Sequence, residues 1–301
     1  MRRNCAVIPK AESGIILFVF ACAAPAWAQL EWRDAGGGRL EVLDAGRTAL
    51  VYNYGPQLPP GVPEDRRRCC YIFPLYTPGG VSMLDDFPKD HYHHHGIFWA
   101  WPVVEIGGAR HDLWMYRGIE HRFEGWIRRE PREGNLWLVA ENGWYAGGRR
   151  VVREIAAITV HPAHGAVRRV DVDLEFEALQ SPVTLRGSQE QGKSYGGFSA
   201  RFAPRENTVI RTSEGMVQKD EDLNRHRWAE LEASYQGRKA ALRITPAGDN
   251  PGVPWQWCLR FYGFVGASFP GRTPESNGYT LEPGRPLRLR FTVEASDPAS
   301  Q

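Results

Sequence analysis

Val170-Asp171-Val172-Asp173-Leu174-Glu175-Phe176-Glu177 alternates apolar and acidic residues without a break. Successive side chains of a strand point to opposite faces, so the four apolar residues share one face and the four acids the other. That is the pattern of an antiparallel strand with one face on a core. Working outward, similar runs occupy residues 39–43, 48–54, 120–128, 136–145, 151–160, 198–202, 228–235, 240–245, 257–264 and 287–293. Gly147-Gly148, His164-Gly165, Gln236-Gly237 and Pro283-Gly284 supply turns between them. Residues 221–233 come nearest to a helical stripe, but their apolar positions are too sparse. Many strands at regular spacing predict an all-β fold, a large antiparallel β-sandwich. No linker, repeat or low-complexity segment interrupts residues 29–301, which read as a single domain.

The first 28 residues read as an export signal. Arg2, Arg3 and Lys10 precede an apolar stretch over 15–24, and Ala26-Trp27-Ala28 is a cleavage site. Cleavage predicts a periplasmic or secreted protein. Basic and acidic residues number 37 and 35 in the whole chain and 34 each after cleavage. A balanced charge argues against nucleic acid as the partner, and no later stretch is apolar for long enough to span a membrane. Of five cysteines, Cys69, Cys70 and Cys258 remain. They read as three buried thiols, the alternative being one bridge to Cys258.

Residues 55–88 are rich in proline and glycine, carry Arg66-Arg67-Arg68, and read as a long loop over one face. They lead into Asp90-His91-Tyr92-His93-His94-His95-Gly96, which holds four of the nine histidines. Imidazole titrates near neutrality and donates, accepts or binds metal. An extended segment would set His91, His93 and His95 against Asp90, Tyr92 and His94, and a bulge would change this. Three readings are open. One is an acid/base site with Asp90 orienting an imidazole. Another is a metal site using the His91/His93 pair, for which no remote ligand stands at a suitable spacing. The third is a structural polar cluster.

Gly187-Ser188-Gln189-Glu190-Gln191-Gly192-Lys193-Ser194 matches a phosphate-loop pattern. Such a loop works only between a strand and a helix N-terminus, and here Tyr195-Gly196-Gly197-Phe198 reads as a strand, so the match is accidental. Glu190 is instead a carboxylate placed to reach the histidines from another strand, or else an exposed loop residue. Ten tryptophans remain after cleavage. Most belong to the core, but Trp99 and Trp101 share a strand face just after the histidines, and an aromatic face there stacks on sugar. The loop Asp249-Asn250-Pro251-Gly252-Val253-Pro254-Trp255 is either a ligand-facing loop or a simple turn.

Four blocks together carry a family resemblance. They are residues 71–80 (Tyr71-Ile72-Phe73-Pro74-Leu75-Tyr76-Thr77-Pro78-Gly79-Gly80), the Asp90–Ile97 block, residues 195–202, and the Asn250-Pro251 loop leading to Arg260. Across nearly all of residues 29–301 the chain resembles a bacterial family of unknown function that has carried the label methane oxygenase PmoA. The family form is nearer Asp-His-Pro-His-His-Arg-Gly. Asp90, His91, His93 and His94 match it, while Tyr92 and His95 depart from it. An oxygenase subunit of that name is a multi-helix membrane protein, unlike this chain. The block Arg260-Phe261-Tyr262-Gly263-Phe264 through Phe291 is similar to the large supersandwich of galactose-mutarotase-like proteins. There a histidine acid and a glutamate base face each other across a concave sheet.

The resemblance implies a carbohydrate-active enzyme of epimerase, lyase or glycoside hydrolase type, working on a small-molecule or oligosaccharide substrate without a cofactor. Asp90, His91, His94 and Glu190 are then the expected catalytic groups, and His93, Trp99, Arg201 and Asn250 hold substrate. The alternatives are a sugar-binding protein without catalysis and a metal-dependent enzyme with histidine ligands.

Overall fold

The computed structural model describes residues 30–272 and 278–299. The export signal read over residues 1–28 lies outside the described residues. Along the chain run β1 (Leu30–Gly36), β2 (Arg39–Asp44), β3 (Arg47–Asn53), β4 (Tyr71–Leu75), β5 (Ile97–Ala100), β6 (Val103–Ile106) and β7 (Ala109–His111). The long strands β8 (Ile119–Arg132), β9 (Asn135–Ala146), β10 (Arg149–Val160) and β11 (Val167–Ala178) follow, then β12 (Val183–Arg186) and β13 (Gly197–Arg201). Next come β14 (Glu206–Thr212), β15 (Gly215–Met216), β16 (Arg225–His226), β17 (Ala229–Tyr235) and β18 (Arg238–Pro246). The last are β19 (Trp255–Arg260), β20 (Phe264–Ser268), β21 (Tyr279–Leu281) and β22 (Leu287–Ser296).

Two nine-stranded antiparallel sheets form the sandwich, in the orders β1-β2-β3-β4-β5-β13-β20-β19-β16 and β15-β14-β17-β18-β22-β11-β10-β9-β8. A four-stranded sheet, β21-β12-β6-β7, stands at their side. The acidic-apolar run is β11. Val172 lies opposite Ile158 and Phe291, and Leu174 opposite Ala156 and Leu289. Each such buried aliphatic or aromatic side chain contributes on the order of 1.5–3 kcal/mol. The acids face outward and meet cross-strand partners, Asp171 with Thr292 and Glu175 with Arg288. Between the sheets, Phe198 stacks on Phe291 with centroids 4.1 Å apart, and Trp101 packs on Trp144 at 5.4 Å. One continuous hydrophobic cluster joins both sheets.

Two expectations are corrected. Residues 55–88 are not wholly a loop, because Tyr71–Leu75 enters the first sheet as β4. Pro74 masks that strand, since proline donates no ladder hydrogen bond. The run 257–264 is two strands, β19 and β20, joined by a turn at Gly263, whose φ of +110° suits glycine alone. Cys69, Cys70 and Cys258 are free, buried thiols. Among the described residues no helix is long and apolar enough to cross a membrane.

Candidate functional site

Alternation within the first sheet decides which side chains reach its outer face. Phe198 of β13 and Trp99 of β5 point between the sheets, so their neighbours Ser199, Arg201 and Phe98 point outward. Cross-strand pairing carries the same face through Phe264 and Gly266 of β20 to Cys258 and Arg260 of β19. Against this face folds the histidine segment.

That segment is not extended. Amide–carbonyl bonds from His91 to Pro88 and from His94 to His91 close two successive turns. Gly96 ends it. A Cβ there would stand 2.3 Å from the Ile72 carbonyl oxygen, so only glycine lets the chain pass β4 into β5. The turns defeat the strand alternation and bring His91, His93 and His94 together in one cleft of about 470 Å³. Glu190, Lys193 and Tyr195 line it from the loop before β13, Asp112, Trp114 and Arg117 from the loop after β7, and Cys258, Arg260, Tyr262 and Phe264 from β19–β20.

His91 lies between His94 and Tyr262, with planes within 3° and 4° and centroids at 4.6 and 5.3 Å. His93 meets His94 edge-on at 4.6 Å. The His91 side chain is 36% exposed, against the buried His94, and its Nδ1 stands 3.0 Å from Asp90 Oδ2. Nη2 of Arg201 donates to both Asp90 oxygens, at 2.9 and 2.8 Å. These partners hold Asp90 below the usual carboxylate range despite the burial that opposes them. Burial first, then the neighbouring His91 and arginines, holds His93 down to about 3. Burial also holds His94 well below its ordinary value.

Glu190 accepts from Lys193 at 2.6 Å and from the Tyr195 hydroxyl at 3.0 Å, and these bonds keep its carboxyl below the usual range. The Tyr195 phenol is pushed up to about 12, chiefly by burial. Asp112 behaves oppositely. Burial raises it, although the Met115 amide donates to it at 2.8 Å.

The remaining expected residues fall elsewhere. Trp99 is 1% exposed and stacks on Phe198 inside the sandwich, so it is corrected from substrate contact to core. The shared face of Trp99 and Trp101 is the inner one, and Phe98, just before Trp99, faces the site side. Asn250 is corrected likewise. It is buried, exchanges two hydrogen bonds of 2.8 Å with the Arg290 backbone, and pins its turn to β22. Arg201 does not line the cleft but grips Asp90 beneath it, its guanidinium 4.8 Å from the Tyr262 ring. His95 turns inward, 2.7 Å from Asp86. The residues 187–194 lead into β13 rather than a helix, as the strand reading of the phosphate-loop match requires.

The sequence reading missed Asp112, Trp114, Tyr195, Cys258 and Tyr262. The only local signal was aromatic density in Trp114-Met115-Tyr116. Among the described residues no three His, Cys, Asp or Glu side chains are arranged to hold a metal ion. The parallel planes of His91 and His94 agree with this, because in-plane lone pairs of stacked rings cannot meet at one ion.

These features define a class, an all-β antiparallel sandwich with a histidine-lined cleft on the outer face of one sheet. The chain belongs to a family of unknown function, DUF6807, whose model matches residues 39–301. No curated protein matches it. Among solved structures it is similar to a heparinase III with methylated lysines, at 10% identity and a TM-score of 0.37, over 89% of this chain and 34% of that one. The chain thus spans about a third of that protein's length. It is also similar to a GalM/aldose epimerase homologue from C. elegans, at 9% identity and a TM-score of 0.33, over 87% of this chain and 97% of that one.

Proposed function

We propose that the cleft is the active site of a carbohydrate-active enzyme that moves protons at a sugar. The observation that carries this reading is the meeting of His91, His93, His94 and Glu190, from distant parts of the chain, around one hollow. His91 is the proton-transfer group, since its ring is open to the cleft and its Nδ1 lies 3.0 Å from the Asp90 carboxylate. His94, neutral and buried, polarises a substrate oxygen. Glu190 stands as the counter-base, and Trp114, Tyr195 and Tyr262 give aromatic faces for the C–H surface of a sugar ring. Epimerisation, lyase chemistry and hydrolysis all begin with such a transfer. We take residues 29–301 as one exported domain, in keeping with the continuous core.

A sugar-binding protein without catalysis is the second reading. It is favoured by the engagement of Glu190 with Lys193 and Tyr195, which makes that carboxylate a weak base.

The test incubates residues 29–301 with reducing hexoses, uronates and their oligosaccharides and follows products by proton NMR. The reading expects turnover that falls by about 10²–10⁴-fold in His91→Ala with an unchanged melting curve. Turnover equal in His91→Ala and wild type removes His91 from the chemistry. Binding without product in both proteins establishes the second reading.

A further inference from the structure

A second hollow, about 390 Å³, shares no lining residue with the histidine cleft. Its lining includes Arg67, Arg68 and Arg122 against one acid, Glu120. Arg122 is held by Glu120 at 2.7 Å, and Arg67 by Glu64 at 2.6 Å, all of them exposed side chains on the rim. Arg68 is different. It is 3% exposed, and its guanidinium donates only to two backbone carbonyls, Leu113 at 2.9 Å and Trp99 at 3.4 Å. Its Nε has no partner, and among the described residues no carboxylate stands within 4.0 Å of it. The Tyr116 ring lies 4.3 Å beneath it. A buried cation without an anion is costly, and the Nε–H of Arg68, shielded from solvent, is the one guanidinium nitrogen without a partner.

The rest of the hollow is largely aromatic and apolar. Tyr54 and Phe123 pack at 4.8 Å, with Trp126 behind them at 5.6 and 5.3 Å, and Pro56, Cys69, Tyr116 and the buried His121 also line the hollow. Such a wall covers the flat face of a ring and offers nothing to a bare inorganic ion.

We propose that this hollow is a second binding site, separate from the histidine cleft, for a small ring-bearing carboxylate whose carboxyl group meets Arg68. The ring lies on the Tyr54–Phe123 wall, and Arg67 and Arg122 add positive potential at the mouth. It gives a role to Arg67 and Arg68 of the basic run, neither of which lines the histidine cleft.

Calorimetric titration of residues 29–301 tests this with D-glucuronate and benzoate, set against D-glucose, benzyl alcohol and inorganic phosphate. At least one carboxylate binds with millimolar or better affinity while its uncharged counterpart does not. Glucuronate binding identifies a sugar acid, and benzoate binding an aromatic acid. Arg122→Gln, at an exposed position that leaves the fold intact, weakens binding several-fold, and Phe123→Ala weakens it about tenfold. Arg68→Met abolishes it, the rim variants carrying the test if that protein does not fold. His91→Ala leaves benzoate binding, and any glucuronate binding sensitive to Arg122→Gln, unchanged. Absence of binding by both carboxylates up to about 10 mM overturns the proposal. So does phosphate binding as tight as theirs, or carboxylate binding lost in His91→Ala and untouched in Arg122→Gln and Phe123→Ala.

Discussion

The imidazole of His91 lies flat on that of His94, the ring planes within 3° and the centroids 4.6 Å apart. Two positive charges at that separation repel by roughly 4 kcal/mol at an effective dielectric near 20. The stack therefore carries at most one positive charge. Burial keeps the inner ring, His94, in its neutral state.

This arrangement has a pH signature. His93 is held down to about 3 and His94 well below its ordinary value, whereas both titrate near 6.5 in an unfolded chain. Below about 6.5 the unfolded state binds more protons than the folded one, so stability falls as pH falls toward 3 and is fully present above that window. One such ring contributes up to about 1.4 kcal/mol per pH unit within it. The buried Asp86, raised by burial, acts in the opposite sense, so the comparison is with a variant. Urea unfolding between pH 7 and 4 is expected to show a shallower loss in His93→Gln than in wild type. Parallel curves would remove the neutral-ring account.

The fold was legible because the long strands obey their period. β10, β11 and β22 alternate over most of their length, each with one face in the core. β4 was hidden by Pro74 and a proline-rich approach. The site was legible only where chemistry is dense in sequence. His91, His93 and His94 announced themselves, but their convergence depends on two turns that a strand reading cannot supply. Cys258, Tyr262 and Asp112 reach the cleft through pairings between strands far apart in the chain, and no spacing in the sequence records those pairings. Trp99 misled because alternation fixes which residues share a face and not which face is inside.

Trp99 offers a clean test of that correction. Its ring is sealed between the sheets against Phe198, and its indole N–H has no partner. Trp99→Phe keeps an aromatic ring there and loses contact area, so a cost of about 1–3 kcal/mol is expected. Neither KM nor ligand affinity at the histidine cleft should change. A several-fold shift in affinity, with stability unaltered, would return Trp99 to the site.

Glu154 is the most demanding polar group of the core. It is fully buried on β10, accepts from Trp144 at 2.7 Å and Asn142 at 2.8 Å, and stands 3.2 Å from His121. The three neighbours hold its carboxyl below the usual range against the burial that raises it. Glu154→Leu strands two donors and an imidazole in dry packing and should cost about 3–5 kcal/mol. Glu154→Gln keeps the shape and the acceptor oxygen and should cost less. Chemical denaturation of the two variants gives the order, and equal losses would show that volume rather than charge matters there.

Glu190 separates catalysis from binding. Its carboxylate is held by Lys193 and the Tyr195 hydroxyl, both lining the same cleft, so a base at this position must first be released from Lys193. Lys193→Met removes the stronger partner and lets the Glu190 pKa rise toward that of an ordinary glutamate. If Glu190 takes a proton during turnover, Glu190→Gln lowers kcat by about 10²-fold or more, and Lys193→Met moves the acidic limb of the kcat profile upward in pH. If Glu190 only borders the cleft, both variants keep kcat within about twofold and change KM alone, because uniform binding is all they disturb. The pH profile of Lys193→Met is the decisive measurement, since a purely structural ion pair has no reason to shift it.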